Sequence, residues 1–348
     1  MLERAIIADD LTGALDAAAP FAMRGISTVV ALNAASLPAA LASGARIIGV
    51  STDSREVSAE AAQEAVRITI AALPVGTALL KKVDSRLKGN IAAELDAMPH
   101  TTSLVVPAIP AFGRWMRDGK LGGFGVQEPI DIAAKLGRHA ASVLIPNIEN
   151  QHDIEHALAG HFDLPIGARG LAEAMAKTMA PNATLTEVAL PATQAYCVIG
   201  STDPITLAQL DRLRASNPDI AYIPAPNGIA PDVPLNAARL TILHATPGKN
   251  PADGNSVAEA LGRSLARLAP PSDSVLVLSG GATAQVILGQ LGITMLELLG
   301  EALPGLPIAR AGDLTVVTKS GGFGDPDTLV RLLAPYLTLG SPVHSHVG

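Results

Sequence analysis

Aromatic side chains are scarce in this chain of 348 residues: five phenylalanines, three tyrosines and one tryptophan, 3% of the whole. Single-stranded nucleic acid is held by bases stacked on aromatic rings, and Trp115 with three tyrosines is too few for such a platform. Basic residues offer no alternative. The 25 lysines and arginines are outnumbered by 32 aspartates and glutamates, the net charge is −7, and no basic run forms a phosphate-binding face. Cysteine is almost missing. Cys197 stands alone, which excludes an internal disulfide and any multi-cysteine metal site; inside the apolar run from Ala195 to Ile199 it reads as a buried structural thiol. No uninterrupted apolar stretch approaches the roughly 20 residues of a membrane span. Met1 to Arg4 enters the first strand without the basic and apolar regions of a secretion signal. These absences lead to the expectation of a cytoplasmic protein with neither a membrane nor nucleic acid among its partners.

What the chain does have is apolar mass and turn residues. Hydrophobic residues make up 48% and charged ones 16%, with 32 glycines and 26 prolines, the composition of a folded globular chain long enough for two domains. Short apolar runs alternate with helical periodicity: strands at 5–8, 27–32, 47–51, 78–83 and 103–107, helices at 14–24, 59–72 and near 90–98. A strand at 142–148 and helices at 153–159 and 170–179 complete the first half. A polar, proline-bearing stretch from Ala180 to Gln194 marks a boundary. The alternation then resumes with strands at 195–199, 240–244, 274–278 and 314–317 and helices at 205–215, 257–268, 284–291 and near 327–333. This pattern predicts an α/β fold of two domains, 1–180 and 195–348, with mainly parallel sheets and a cleft between them.

Polar residues concentrate where those strands end, the place where open α/β sheets bind ligands. Asp9 and Asp10, with Thr12 and Gly13, follow the first strand; a helix cap would need only one of them. Lys82, Asp84, Ser85, Arg86, Lys88 and Asn90 crowd a second strand end. Their donors suit an anion such as a carboxylate, and Asp84 supplies a base or acceptor. A stiff loop with two prolines runs from Pro107 to Arg114, whose guanidinium can clamp a carboxylate in bidentate fashion. In the second half, Ser279-Gly280-Gly281-Ala282-Thr283 and Lys319-Ser320-Gly321-Gly322-Phe323-Gly324 are glycine-rich turns, the first opening a helix; amides in such turns bind phosphate. Neither turn matches the P-loop or dinucleotide spacings. Gly200-Ser201 ends another strand, where Ser201 either touches a phosphate or caps the next helix. His152 and His156 have helical spacing but lack the adjacent glutamate of a zinc protease, and His344 and His346 sit in the terminal tail; no metal ligand is assigned.

Taken together, these segments resemble the four-carbon acid sugar kinase family over nearly the whole chain. Asp9-Asp10-Leu11-Thr12-Gly13-Ala14 is similar to the family's A-D-D-x-T-G-A, and Lys82 to Asn90 to its K-T-D-S-T-L-R-G-N. Pro107 to Arg114 resembles P-A-x-P-x-x-G-R, Gly200-Ser201 its G-S, Ser279 to Thr283 its S-G-G-x-T, and Lys319 to Gly324 its K-S-G-G-F-G. The resemblance implies a kinase that phosphorylates threonate, erythronate or an oxo-tetronate with ATP and Mg2+ in carbohydrate catabolism. It places the acid sugar on the first half and ATP on the second. Asp10 and Asp84 would then be catalytic; Asp9, Lys82, Ser85, Arg86, Lys88, Asn90 and Arg114 would bind the acid; Ser201, Gly280, Gly281, Ala282, Thr283, Gly321 and Gly322 would meet the nucleotide.

Two positions depart from the family pattern: Arg86 stands where threonine is usual and Lys88 where arginine is usual. Those changes are the sole support for the alternative, a sensor that binds acid sugar and nucleotide without turnover. A phosphatase acting through Asp10 ranks last, because Thr12 occupies the place where such enzymes carry a second carboxylate. A homodimer is the default expectation for the assembly.

Overall fold

The computed structural model describes residues 1–185, 188–191, 194–217, 220–232 and 238–337. The tail with His344 and His346 lies outside the described residues. In the first half, β1 (Arg4–Ala8), α1 (Leu11–Ala22), β2 (Thr28–Ala31), α2 (Leu37–Ala42), β3 (Ile47–Ser51), α3 (Ala59–Ala71), β4 (Ala78–Lys82), α4 (Ile91–Asp96) and β5 (Ser103–Val106) follow in order. The strands are mostly apolar because helices cover both faces of a parallel sheet; all of β3 and β5 is buried.

Next come β6 (Arg114–Arg117), β7 (Lys120–Gly123) and β8 (Ile130–Asp131), a small antiparallel sheet of their own. Then follow α5 (Ile132–Leu136), β9 (Val143–Leu144), α6 (Gln151–Leu158), β10 (Leu164–Gly167) and α7 (Arg169–Met179). The strand expected over 142–148 shrinks to the two residues of β9. Pro146 offers no amide to a ladder, and Ile148 instead bridges Met116 beside the small sheet.

The second half holds β11 (Ala195–Ile199), α8 (Pro204–Ser216), β12 (Ala221–Pro226), β13 (Leu240–Thr246), α9 (Gly254–Arg267), β14 (Val275–Ser279), α10 (Gly281–Gln290), β15 (Met295–Leu303), β16 (Leu306–Ala311), β17 (Leu314–Lys319) and α11 (Thr328–Leu333). β12, β13, β11, β14 and β17 are parallel neighbours, while β15 and β16 fold back antiparallel beside β17.

The two halves share one sheet. β15 pairs antiparallel with β2, Leu296 opposite Val30, so a single 14-stranded sheet runs from β12 at one edge to β9 at the other. Helix α1 lies over this joint, packed against β3, β15, α7 and α10. A hydrophobic core follows it, continuous from Ile6 and Phe21 through Val30 to Leu296 and Ile287. A second core, with Cys197, Ile242, Val277 and Leu332, fills the space between the far sheet and α8 and α11. Each buried Leu or Ile contributes about 1.5–3 kcal/mol, and this shared core ties the strand ends of both halves into one frame.

Candidate active site

The carboxyl ends of β1, β3, β4, β5, β11, β14 and β17 open on one cavity of about 850 Å³. Both halves line it. From the first come Asp10, Thr12, Asp53, Arg55, Asp84, Ser85, Arg86, Lys88 and Arg114; from the second come Ser201, Asp203, Gly280 to Thr283, Gly321 and Gly322.

Arg55 organises the first wall. Its Nε donates to Asp9 Oδ2 at 2.7 Å and its Nη2 to Asp9 Oδ1 and Asp10 Oδ1, both at 2.8 Å; Nη1 reaches Asp10 Oδ2 at 3.1 Å and lies 3.8 Å from Asp84 Oδ2. Burial opposes its charge, but the bond to Asp9 and the charges of Asp10, Asp9 and Asp84 raise the guanidinium above its ordinary range. Asp10 is also the N-cap of α1, accepting from Gly13 N at 2.9 Å and from Thr12 Oγ1 at 2.6 Å. Both its oxygens are therefore engaged. Asp84 differs. One oxygen accepts the amides of Arg86 and Lys88 at 2.8 and 3.4 Å, and the other, among the described residues, has only the longer contact with Arg55. Although burial pushes its carboxyl up, Arg55, Lys82 and those amides outweigh it and hold the group below the usual aspartate range. Burial, then the charge of Asp10, raises Asp53.

Arg114 is anchored from behind: Nε donates to Phe124 O at 3.0 Å and Nη1 to Ser85 Oγ at 2.6 Å. The loop with its two prolines thus delivers a fixed guanidinium. Three residues expected to touch substrate stand in the wall instead of lining the cavity. Asp9 is 2% exposed and taken up by Arg55; Lys82 Nζ donates to Val83 O at 2.9 Å; Asn90 Nδ2 donates to Ser54 O and Val57 O. Each is a long or forked polar group that satisfies backbone or charge locally.

On the second wall, Gly280 precedes α10 with φ of 110°, a conformation costly for any side chain, and no side chain caps that helix. The amides of its first turn, unpaired within the helix, are left facing the cavity. Ser201 does not cap α8; Asp203 does, accepting from Ile205 N at 2.9 Å. Lys319 is buried below the last turn, its Nζ donating to Thr206 Oγ1 at 2.8 Å and Ser320 O at 3.0 Å. Burial lowers its pKa to about 8. The turns pack so closely that a Cβ on Gly321 would strike Ser201 Oγ and one on Gly200 would strike Thr283.

The walls touch at several points. A Cβ on Gly281 would stand 3.1 Å from Asp10 Oδ2 and from Thr12 Oγ1. Phe112 and Phe323 meet edge to face with centroids 4.8 Å apart. Arg169 on α7 forms a buried pair with Glu301 on β15 and reaches Asp16 of α1 at 3.5 Å.

Comparison with known proteins matches a sugar-binding N-terminal domain over residues 4–130 and a nucleotide-binding C-terminal domain over 230–329. The D-threonate kinase of Bordetella bronchiseptica is 27% identical, with 94% of this chain and 95% of that protein aligned. The 3-oxo-tetronate kinase of Methylobacterium radiotolerans is 26% identical over 94% and 97%. The chain belongs to the four-carbon acid sugar kinase family. A D-threonate kinase of Cupriavidus necator is a further relative, 28% identical over 93% of this chain and 95% of its own length. Among solved structures, a Salmonella typhimurium LT2 protein superposes with a TM-score of 0.73 over 97% of this chain and all of the other, at 19% identity. A Haemophilus influenzae protein gives 0.64 over 96% and 100%, also at 19%. These two share the fold.

Within this kinase-family chain, Arg55 and Asp53 line the cavity although motif reading passed over them, whereas Lys319, the first residue of the second glycine-turn motif, is buried behind that turn. Arg55 follows β3 by four residues, and the strand-end rule applied to Thr52-Asp53-Ser54-Arg55 would have found it. Among the described residues no group of three His, Cys, Asp or Glu side chains is placed to hold a metal ion, and no helix is long and apolar enough to cross a membrane.

Proposed function

We propose that the protein transfers the γ-phosphoryl group of ATP to a terminal hydroxyl of a four-carbon acid sugar of the threonate, erythronate or oxo-tetronate type. One observation carries the reading: an uncapped helix N-terminus with glycine turns, and a wall of fixed cations with an ionised aspartate, face each other across the same cavity. Amides of α10 and the turns at Ser201 and Gly321–Gly322 take the phosphates. Arg114 and Lys88, with Ser85 between their loops, take the carboxylate, and the fork of Arg114 gives that contact its orientation.

Phosphoryl transfer needs positioning and charge neutralisation more than covalent help. Asp84 is the better placed of the two aspartates, because Asp10 has both oxygens committed to Arg55, Thr12 and the α1 amide. Asp84 orients the attacking hydroxyl and receives its proton; the hydroxyl oxygen bonds to the γ-phosphorus while the bond to the β-phosphate oxygen breaks, and ADP leaves. Magnesium fits as an ion arriving with the nucleotide, because it keeps waters and phosphate oxygens and asks for only one or two carboxylates. Asp203, with one oxygen on the α8 cap and the other facing Gly322, is the group to hold it, and the ion would neutralise phosphate charge there.

The test is product identification by mass spectrometry after incubation with ATP, magnesium and a panel of four- and five-carbon sugar acids. A monophosphorylated four-carbon acid is expected. Thermal stabilisation by the acids without any phosphorylated product would instead favour the sensor reading.

A further inference from the structure

We infer that Arg86 binds the γ-phosphoryl group during transfer, and not the carboxylate of the acid sugar; the inference rests on the kinase reading above and deepens it. Arg86 comes from the β4 loop of the first half, yet its guanidinium crosses the cavity: a Cβ on Gly322 of the opposite wall would lie 3.6 Å from Arg86 Nη2. It is half-buried. Among the described residues its side chain has no hydrogen bond or ion pair within the protein, whereas Arg55 is spent on three carboxylates and Arg114 is held by Phe124 and Ser85.

A half-buried guanidinium whose donors are not taken by the protein is free to bond an anion. On the kinase reading two anions would enter the cavity, the carboxylate and the triphosphate, and position separates them. The tip of Arg86 lies against the glycine turn that takes the nucleotide, while its backbone amide fixes Asp84 beside the attacking hydroxyl. The residue therefore spans the gap that the phosphoryl group must cross. Its charge also adds to burial in depressing the pKa of Arg114, a repulsion that an anion between the two cations relieves. Charge spreads over three equatorial oxygens in that transition state, and a planar fork of donors supplied from the acceptor side matches them. Threonine, usual at this position in the resembled pattern, has neither charge nor reach. Arg86 is thus a feature of this chain beyond the shared motif.

The experiment compares wild type with Arg86→Thr and Arg86→Lys in steady-state kinetics, and measures calorimetric binding of ADP and of a non-hydrolysable ATP analogue. Arginines of this kind are worth about 10³–10⁵ in turnover. The expected result is a fall of kcat of that order in Arg86→Thr, with the KM for the acid sugar changed less than about threefold and part of kcat restored by lysine. Analogue affinity should fall about tenfold while ADP affinity stays constant. A rise of about tenfold or more in acid-sugar KM with kcat and analogue binding unchanged would overturn the assignment and make Arg86 a carboxylate ligand. Unchanged kinetics and binding would also overturn it. Wild-type protein without turnover on any acid sugar would defeat the kinase reading, while the two nucleotide titrations would still decide whether Arg86 reads the third phosphate.

Discussion

At the scale of single residues, the site is a set of charges whose protonation is fixed by neighbours. Asp84 is held below the usual aspartate range, so it stays ionised above that range, near pH 3.9, and the rate should show no acid limb from this group at pH 5 and above. Its contribution to stability has the same sign: present above the unfolded value and lost as pH falls through the lower folded one. Lys319 has the same sign of pH dependence in a higher window, although there the fold favours the neutral form. With its folded pKa lowered to about 8, the unfolded chain holds the proton at pH values where the folded chain has released it. Stability therefore rises with pH from about 8 toward the unfolded lysine value near 10.4. Urea midpoints at pH 7, 8, 9 and 10 should shift in favour of wild type relative to Lys319→Met over that window. A difference constant with pH would contradict the burial argument. The strand-end aspartates, the basic loop and the glycine turns were legible because polar residues after apolar runs are conspicuous. The fates of Asp9, Lys82 and Asn90 were not, because sequence does not reveal that Arg55 and nearby carbonyls claim them first.

Among the elements, the β4 to α4 unit shows how a buried charge is afforded by its partner. Lys81 and Glu94 form an ion pair at 2.8 Å with side chains 0% and 1% exposed, and Ser54 Oγ donates to the same glutamate. Lys81→Met leaves the glutamate charge stranded and should cost about 3–5 kcal/mol. Adding Glu94→Leu should recover most of that loss, as read by urea unfolding; a double variant no better than the single would show that packing, not charge, sets the cost. The parallel βαβ units were readable from hydrophobic alternation. The hairpin of β15 and β16 was not, because register shifts between Leu298 and Gly300 and again between Glu301 and Leu303 break the period-2 signal on which strand reading depends. β6 and β7, Arg-Trp-Met-Arg and Lys-Leu-Gly-Gly, lack the apolar run that marked the equally short β2 and β5, and β8 has only two residues.

Over the whole molecule, the two halves meet through a continuous sheet as well as across a cleft. The pairing of β2 with β15, the buried Arg169–Glu301 pair and the Phe112–Phe323 contact hold the two walls of the cavity in one frame. The cleft was foreseeable from two alternating runs, whereas the joint was not, since it depends on β15, which runs antiparallel to both of its neighbours, β16 and β2. The central claim is that Asp84 acts on an acid sugar at the wall opposite the nucleotide. It is tested most directly by acid-sugar-dependent ADP release from wild type and Asp84→Asn, with calorimetric binding of the same acid to both. The account predicts turnover by wild type, a loss of about 10²–10⁴ in kcat for the variant, and acid binding retained by both. Equal turnover by the two proteins would contradict it.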